Sequence, residues 1–267
     1  MGKLGIIAGQ GHLPRLVARD SGRDCIFVVL EGVKTDIPVG VPVIDATFER
    51  LGEMFSAMKT AGVKQVVFCG GMARPDLDPA RLNAFTVEAM PELMAGFAQG
   101  DDFLLRVIIE LFEKQGFSII GAHELVVDLT LASGCYSDKS PSESELIDAR
   151  RGMEILNVIS PLDLGQGCVV ASGLCLGIET LQGTDSLLDF VSKTAPHLRR
   201  SAGVFVKAAK TDQDLRIDMP TIGPETVVSV QRAGLAGIIV SANKVMIVER
   251  EATVDAINAA GLFLVAQ

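Results

Sequence analysis

The densest run of residues able to do chemistry lies in Val206–Pro224. There Lys207, Lys210, Asp212, Asp214, Arg216 and Asp218 place two lysines, one arginine and three aspartates within twelve residues, with Gln213 among them. Asp214, Arg216 and Asp218 alternate, so an extended chain would carry all three on one side. Such a segment is costly to bury without a ligand, metal or partner, although a solvated edge strand shows the same pattern. Carboxylates are hard oxygen donors of the kind Mg²⁺ prefers, and lysine or arginine can meet phosphoryl oxygens.

Other stretches carry weaker signals. Gly9-Gln10-Gly11 separates an apolar run from a helix opened by Leu13-Pro14. Glycines there let the backbone turn tightly and approach a phosphate at the helix N-terminus. The pattern lacks the third glycine of the dinucleotide fingerprint, yet Glu31 stands where that fingerprint places a ribose-binding acid. NAD(P), another phosphate ligand and a structural turn all remain open at this point. Gly70 and Gly71, followed by Arg74, end another apolar run, where Arg74 could contact phosphate or simply be solvated. Asp101 and Asp102 open a helix, as an N-cap and a first-turn charge or as metal ligands. Asp185 reads as an N-cap that could also serve a site, with Glu179 closing the strand before it. His12, His123 and His197 are too scattered for a triad or a zinc set.

These residues need a scaffold. Apolar runs at Lys3–Ala8, Asp24–Leu30, Val41–Ile44, Gln65–Cys69 and Phe117–Ile120 alternate with helical spacing at Leu13–Asp20, Phe48–Ala61, Asp78–Phe97 and Asp102–Gln115. Alternation on short connections predicts a parallel sheet with helices on both faces. Periodicity fails over Ala132–Pro141, so the expected division is residues 1–132 and 133–267. The second part reads as α+β with hairpins. Helices are expected at Glu143–Val158, Asp185–Lys193, Pro224–Ala233 and Glu251–Ala260. Strands are expected at Gly167–Ser172, Leu174–Glu179, Gly203–Lys207, Gly237–Val240 and Lys244–Val248, with tight turns at Ser172-Gly173 and Ala242-Asn243.

The 267 residues are 48% hydrophobic and 21% charged, enough for packed cores and incompatible with disorder. A net charge of −9 argues against a nucleic-acid partner, since phosphate neutralisation needs clustered lysine and arginine. The five cysteines fall largely in apolar runs and read as reduced, buried thiols. No leader segment is apparent and no apolar run reaches the roughly 18–20 residues of a span. The expectation is a cytoplasmic protein, with peripheral membrane contact and a homodimer both compatible.

Taken in order, LGIIAGQGHLP (4–14), GGMARP (70–75), GDDFLL (100–105), DLGQGCVVASG (163–173), IETLQGTD (178–185) and SAGVFVKAAKTDQDLRIDMPTIGP (201–224) cover nearly the whole chain. Together they resemble the LpxI-type UDP-2,3-diacylglucosamine pyrophosphatases of lipid A biosynthesis in Gram-negative bacteria. The resemblance implies a Rossmann-like N-terminal domain, a C-terminal domain peculiar to the family, and a substrate held between them. It implies divalent-metal-dependent hydrolysis, with Mg²⁺ or Mn²⁺, of a lipid-linked UDP-sugar to lipid X and UMP. An essential aspartate of the family falls in QDLRID, so Asp218, or else Asp214, inherits that role. Lys207, Lys210 and Arg216 would face the diphosphate. Gly9, Gln10, Gly11, Gly70, Gly71, Arg74, Thr184, Asp185 and Gln213 would contact the substrate, and Asp218, Asp214, Asp101 and Asp102 the metal. Two positions depart from the family pattern. Thr211 stands where proline is common, and Gln182 where glutamate is common. Rival readings are an NAD(P)-dependent oxidoreductase and a non-catalytic nucleotide-sugar or lipid-binding module.

Overall fold

The computed structural model of the chain describes residues 2–73, 75–211 and 213–267. It divides into two compact units: Met1–Val127 with Asp214–Asp218, and Asp128–Gln213 with Met219–Gln267. The short segment 214–218, late in sequence, therefore belongs to the first unit.

The first unit runs β1 (Lys3–Ala8), α1 (Leu13–Asp20), β2 (Cys25–Leu30), β3 (Val43–Ala46), α2 (Leu51–Thr60), β4 (Val63–Cys69), α3 (Ala84–Gln99), α4 (Asp101–Lys114), β5 (Ser118–Ile119) and α5 (Ala122–Leu125). Among the described residues the strands form a parallel five-stranded sheet in the order β3-β2-β1-β4-β5. The chain winds outward from β1 in both directions, so the switch of direction falls between β1 and β4. Alternation along the strands serves both faces. Ile7, Val28 and Val66 join Phe55, Ile109 and Phe112 under α2 to α4. Ile6, Phe27 and Val67, also fully buried, point to the other face, where α1 packs on β1 and β4. Phe55 centres an aromatic group with Phe85, Phe112 and Phe117, its centroid 4.9 Å from that of Phe112. The expected helix over Asp78–Phe97 is broken. A 3-10 turn at Pro79–Arg81 precedes α3, whose N-cap is Asn83 accepting from the Thr86 N–H.

The second unit continues with β6 (Gly134–Cys135), α6 (Glu143–Ile159), β7 (Gly167–Ala171), β8 (Leu174–Ile178), α7 (Gly183–Ser192), α8 (Pro196–Arg199), β9 (Val204–Lys207), β10 (Thr221–Ile222), α9 (Pro224–Arg232), β11 (Gly237–Val240), β12 (Met246–Ile247), α10 (Arg250–Ala259) and β13 (Phe263–Ala266). Its main sheet is mixed, in the order β6-β13-β11-β9-β7-β8. Val170, Val206, Ile239 and Phe263 pack with α6 on one face, and Val169, Phe205, Ile238 and Leu264 pack with α7, α9 and α10 on the other.

The hairpin read at Ser172-Gly173 is present. Both residues have positive φ, 49° and 77°, as a primed two-residue turn requires. Buried Asp148 accepts from both turn N–H groups, at 2.9 and 2.6 Å.

The reading of hairpins throughout this half needs correction. Asn243 does turn, with φ 59°, but the strands beside it do not pair. β11 lies parallel between β9 and β13, and β12 pairs in parallel with β10. The reason is burial: Gly237–Val240 is enclosed on both faces, as a central parallel strand must be. The last strand, β13, has no counterpart in the sequence reading.

Ile217 anchors segment 214–218 by packing against the Phe55-centred core of the first unit. We expect Ile217→Ser to increase protease cleavage around residues 208–218 while shifting the main urea transition by no more than about 1 kcal/mol. Unchanged cleavage would show that other contacts hold the segment.

Candidate active site

Open α/β sheets generally bind ligands at the carboxyl ends of the strands beside the switch of winding, which here are the ends of β1 and β4. The Gly9–Gly11 and Gly70–Gly71 loops lie there and are tied together. The Gly9 N–H donates to Cys69 O, the Gln10 N–H to Gly71 O at 2.7 Å, and the Gly71 N–H to Gln10 O at 3.2 Å. A Cβ on Gly9 would lie 2.5 Å from the carbonyl oxygens of Gly70 and Gly71, and Gly70 has φ 87°. Only glycine fits this close approach of two loops. Pro14 lies in the first turn of α1, where no amide hydrogen is missed. Arg74 lies outside the described residues. Glu31, the candidate ribose acid, is instead ion-paired with Arg81.

The expected extended arrangement of Asp214, Arg216 and Asp218 is not observed. Residues 215–217 form a turn in which the N–H groups of Ile217 and Asp218 donate to Asp214 O. Local hydrogen bonding drives it. Asp214 Oδ1 accepts from the Arg216 N–H and Nε, both at 3.0 Å, and Oδ2 accepts from Nη2 at 2.7 Å. Arg216 Nη1 also reaches Glu113 of α4 at 3.3 Å. The Arg216 hydrogen bonds, aided by the charges of Arg216 and Arg106, hold the Asp214 carboxyl below its usual range, and the Arg216 guanidinium is correspondingly raised. Arg106 is paired with Asp102 at 2.9 Å. Asp102, Arg106 and Glu113 therefore lie on one stripe of α4. Asp101 is not the N-cap; α4 starts at Asp101, with Gly100 preceding it at φ 115°.

In the second unit, Lys207 ends β9 and is 4% exposed. Its Nζ donates to both carboxylate oxygens of Glu179, at 3.0 and 2.9 Å, and to Thr184 Oγ1 at 2.6 Å. The Thr184 hydroxyl donates in turn to Glu179 Oε1 at 2.8 Å. Strand alternation puts Lys207 on the Phe205 face, beneath the first turn of α7. Asp185 is likewise not an N-cap, because α7 starts at Gly183. Its Oδ1 accepts from Ser229 at 3.3 Å, and it lines a surface hollow of about 640 Å³ with Asp189, Glu225 and Arg232. Beyond β9 the chain is clamped. The Thr211 N–H donates to Ser160 Oγ at 2.6 Å, the Lys210 N–H donates to Gln213 Oε1 at 3.0 Å, and Lys210 Nζ pairs with Asp163.

All three cations expected at the diphosphate thus have carboxylate partners: Lys207 with Glu179, Lys210 with Asp163, and Arg216 with Asp214 and Glu113. Asp163, Ser160, Arg106 and Glu113 were not picked out from the sequence. The i, i+4 spacing of Asp102 and Arg106 was a usable signal, whereas the Asp163–Lys210 pairing spans 47 residues and left none.

A parallel wound sheet with paired glycine loops at the carboxyl ends of β1 and β4, together with a mixed-sheet unit, defines a two-unit α/β protein. Residues 3–129 match the family LpxI N-terminal domain, and residues 132–265 match the family LpxI C-terminal domain. A protein of Caulobacter vibrioides named UDP-2,3-diacylglucosamine pyrophosphatase LpxI is 36% identical over 271 residues, covering 99% of this chain and 97% of the relative. The chain belongs to the LpxI family.

Two predictions follow from these contacts. Lys207→Met leaves the Glu179 carboxylate buried without its cation and should destabilise the second unit by about 3–5 kcal/mol in urea unfolding. Adding Glu179→Gln should recover much of that loss, whereas simple additivity would show no coupling. Because Asp214 is depressed below its ordinary value of 3.8, its bond to Arg216 contributes fully above that value. The stability gap between wild type and Arg216→Ala should therefore close as pH falls beneath 3.8. A gap unchanged on acidification would refute the pairing.

Proposed function

We propose that the protein hydrolyses the pyrophosphate bond of UDP-2,3-diacylglucosamine, giving lipid X and UMP. The observation that carries this reading is the full-length relationship to a protein bearing that name. The tied glycine loops suit the UDP portion, because their backbone can come close to a phosphate at the N-terminus of α1. Arg216, whose side chain is 38% exposed, is the cation best placed to exchange a carboxylate for a phosphoryl oxygen, and Lys210, at 14%, follows it. Lys207 is too enclosed for that exchange and acts by fixing Thr184 and Glu179.

Metal dependence, with Mg²⁺ or Mn²⁺, is part of the proposal. Among the described residues no three histidine, cysteine or acidic side chains converge as a metal site. Mg²⁺ commonly binds through one or two carboxylates plus substrate phosphates, so Asp218 and Asp214 are the residues to hold it, with Asp101 and Asp102 in reserve. When bound, the ion neutralises phosphoryl charge. Asp218 is assigned the essential role, orienting the attacking water or the ion.

No helix among the described residues is long and apolar enough to cross a membrane. The proposal places the enzyme in the cytoplasm, drawing its diacyl substrate from the membrane face. Exposed Leu181, Phe190, Leu198 and Val228 support a homodimer.

UMP release from UDP-2,3-diacylglucosamine with Mg²⁺ or Mn²⁺ tests the reading. Binding without release would identify a binding module, and a melting shift with NAD(P) an oxidoreductase. The Glu31–Arg81 pair disfavours the latter, because the ribose acid is engaged. Asp218→Ala should lose on the order of a hundredfold or more of the release rate with its melting temperature unchanged. Full activity there, with Asp214→Ala also active, overturns the assignment.

A further inference from the structure

The cysteines do not all meet the expectation of buried thiols. Cys25, Cys69 and Cys168 are buried, but Cys135 and Cys175 are exposed. Cys168 lies on β7 and Cys175 on the edge strand β8, with their Sγ atoms 3.9 Å apart.

The two-residue turn at Ser172-Gly173 sets this proximity. Cys168 pairs with Ile178 and Val169 with Gly177, but Val170 pairs with Cys175, so Leu176 is an extra residue on β8. Ala171 pairs with Leu174 across the turn, so Cys175 stands opposite Val170, two residues from Cys168 and on the same face of the sheet. Cys175 thus lies on the face that Cys168 and Val170 share beneath α6.

We propose that Cys168 and Cys175 are an oxidation site, a dithiol that a peroxide converts into a disulfide joining β8 to β7. Cys175 is the attacking thiol because it is exposed. The hydrogen bond from Cys168, the Gly177 backbone and the Arg151 charge all favour its thiolate, bringing its pKa to about 6, while Cys168 is raised. The Cys175 thiolate attacks one peroxide oxygen, breaking the O–O bond to give a sulfenic acid and hydroxide. The Cys168 sulfur then attacks the sulfenic sulfur, forming the S–S bond and releasing water. In sum, two thiols and one peroxide yield one disulfide and two waters.

Closing 3.9 Å to a bond of about 2.05 Å needs movement that a strand paired on only one side can supply. The link would form beside the Lys207 group, since Gly167 precedes Cys168 and its carbonyl accepts from the Glu179 N–H at 2.7 Å.

The test is treatment of the purified full chain with stoichiometric hydrogen peroxide, followed by thiol alkylation and peptide mass mapping. The expected result is that the peptide containing both cysteines loses two hydrogens and both alkylation sites, and that dithiothreitol reverses this. Cys135→Ser should react like wild type, Cys175→Ser should form no bond, and Cys168→Ala should stop at a dimedone-reactive sulfenic acid on Cys175. The proposal is overturned if wild-type Cys175 passes to sulfinic acid while Cys168 remains alkylated. It is also overturned if Cys175 links instead to Cys135 or to another chain.

Discussion

An ammonium group taken out of water must meet a carboxylate, and Lys207 imposes that condition on the second unit. Glu179 supplies both oxygens, Thr184 supplies a third acceptor, and each of these positions is then constrained in turn. Glu179 has to leave β8 at a fixed height, which its N–H bond to Gly167 secures. Gly167 has to lack a side chain, because a Cβ there would stand 2.7 Å from Glu179 Oε2. The first turn of α7 has to bring Thr184 over the sheet. One buried charge thus sets the join of β8, α7 and β9.

The first unit solves a different problem, holding acids and bases together while leaving them accessible. Ile217 gives segment 214–218 an apolar anchor, and Arg216 bridges Asp214 to Glu113 on α4. Half-exposed ion pairs of this kind contribute about 0–1 kcal/mol each. Position is held by the apolar contact more than by the weak polar ones.

The first unit was largely legible in the sequence because a wound parallel sheet repeats a local pattern: an apolar run, a glycine turn, a helix. The Ser172-Gly173 turn was legible for the same reason. What escaped depended on distant pairing. Gly237–Val240 looks alike whether its neighbour is a hairpin partner or a parallel strand, and only the fold decides. The alternation of Asp214, Arg216 and Asp218 suggested an extended strand, but an Asp two residues before an Arg can satisfy that backbone itself, and a turn resulted. At the site, the glycine loops and the charged residues were visible as types, while their partners, Asp163 and Glu113 among them, lay far off in sequence.

Segment 214–218 has one further consequence, for the autonomy of the parts. The residues on either side of it, up to Gln213 and from Met219, belong to the second unit, so the chain enters the first unit twice. A fragment ending at Val127 would carry the Phe55 core with the seat of Ile217 empty and the Glu113 end of α4 unmatched. Supplied in cis, the segment docks at the high local concentration of a tether; supplied as a free peptide, it would face the full entropy of association. A cut at the boundary between the two matched families would thus leave the first unit without one of its own segments.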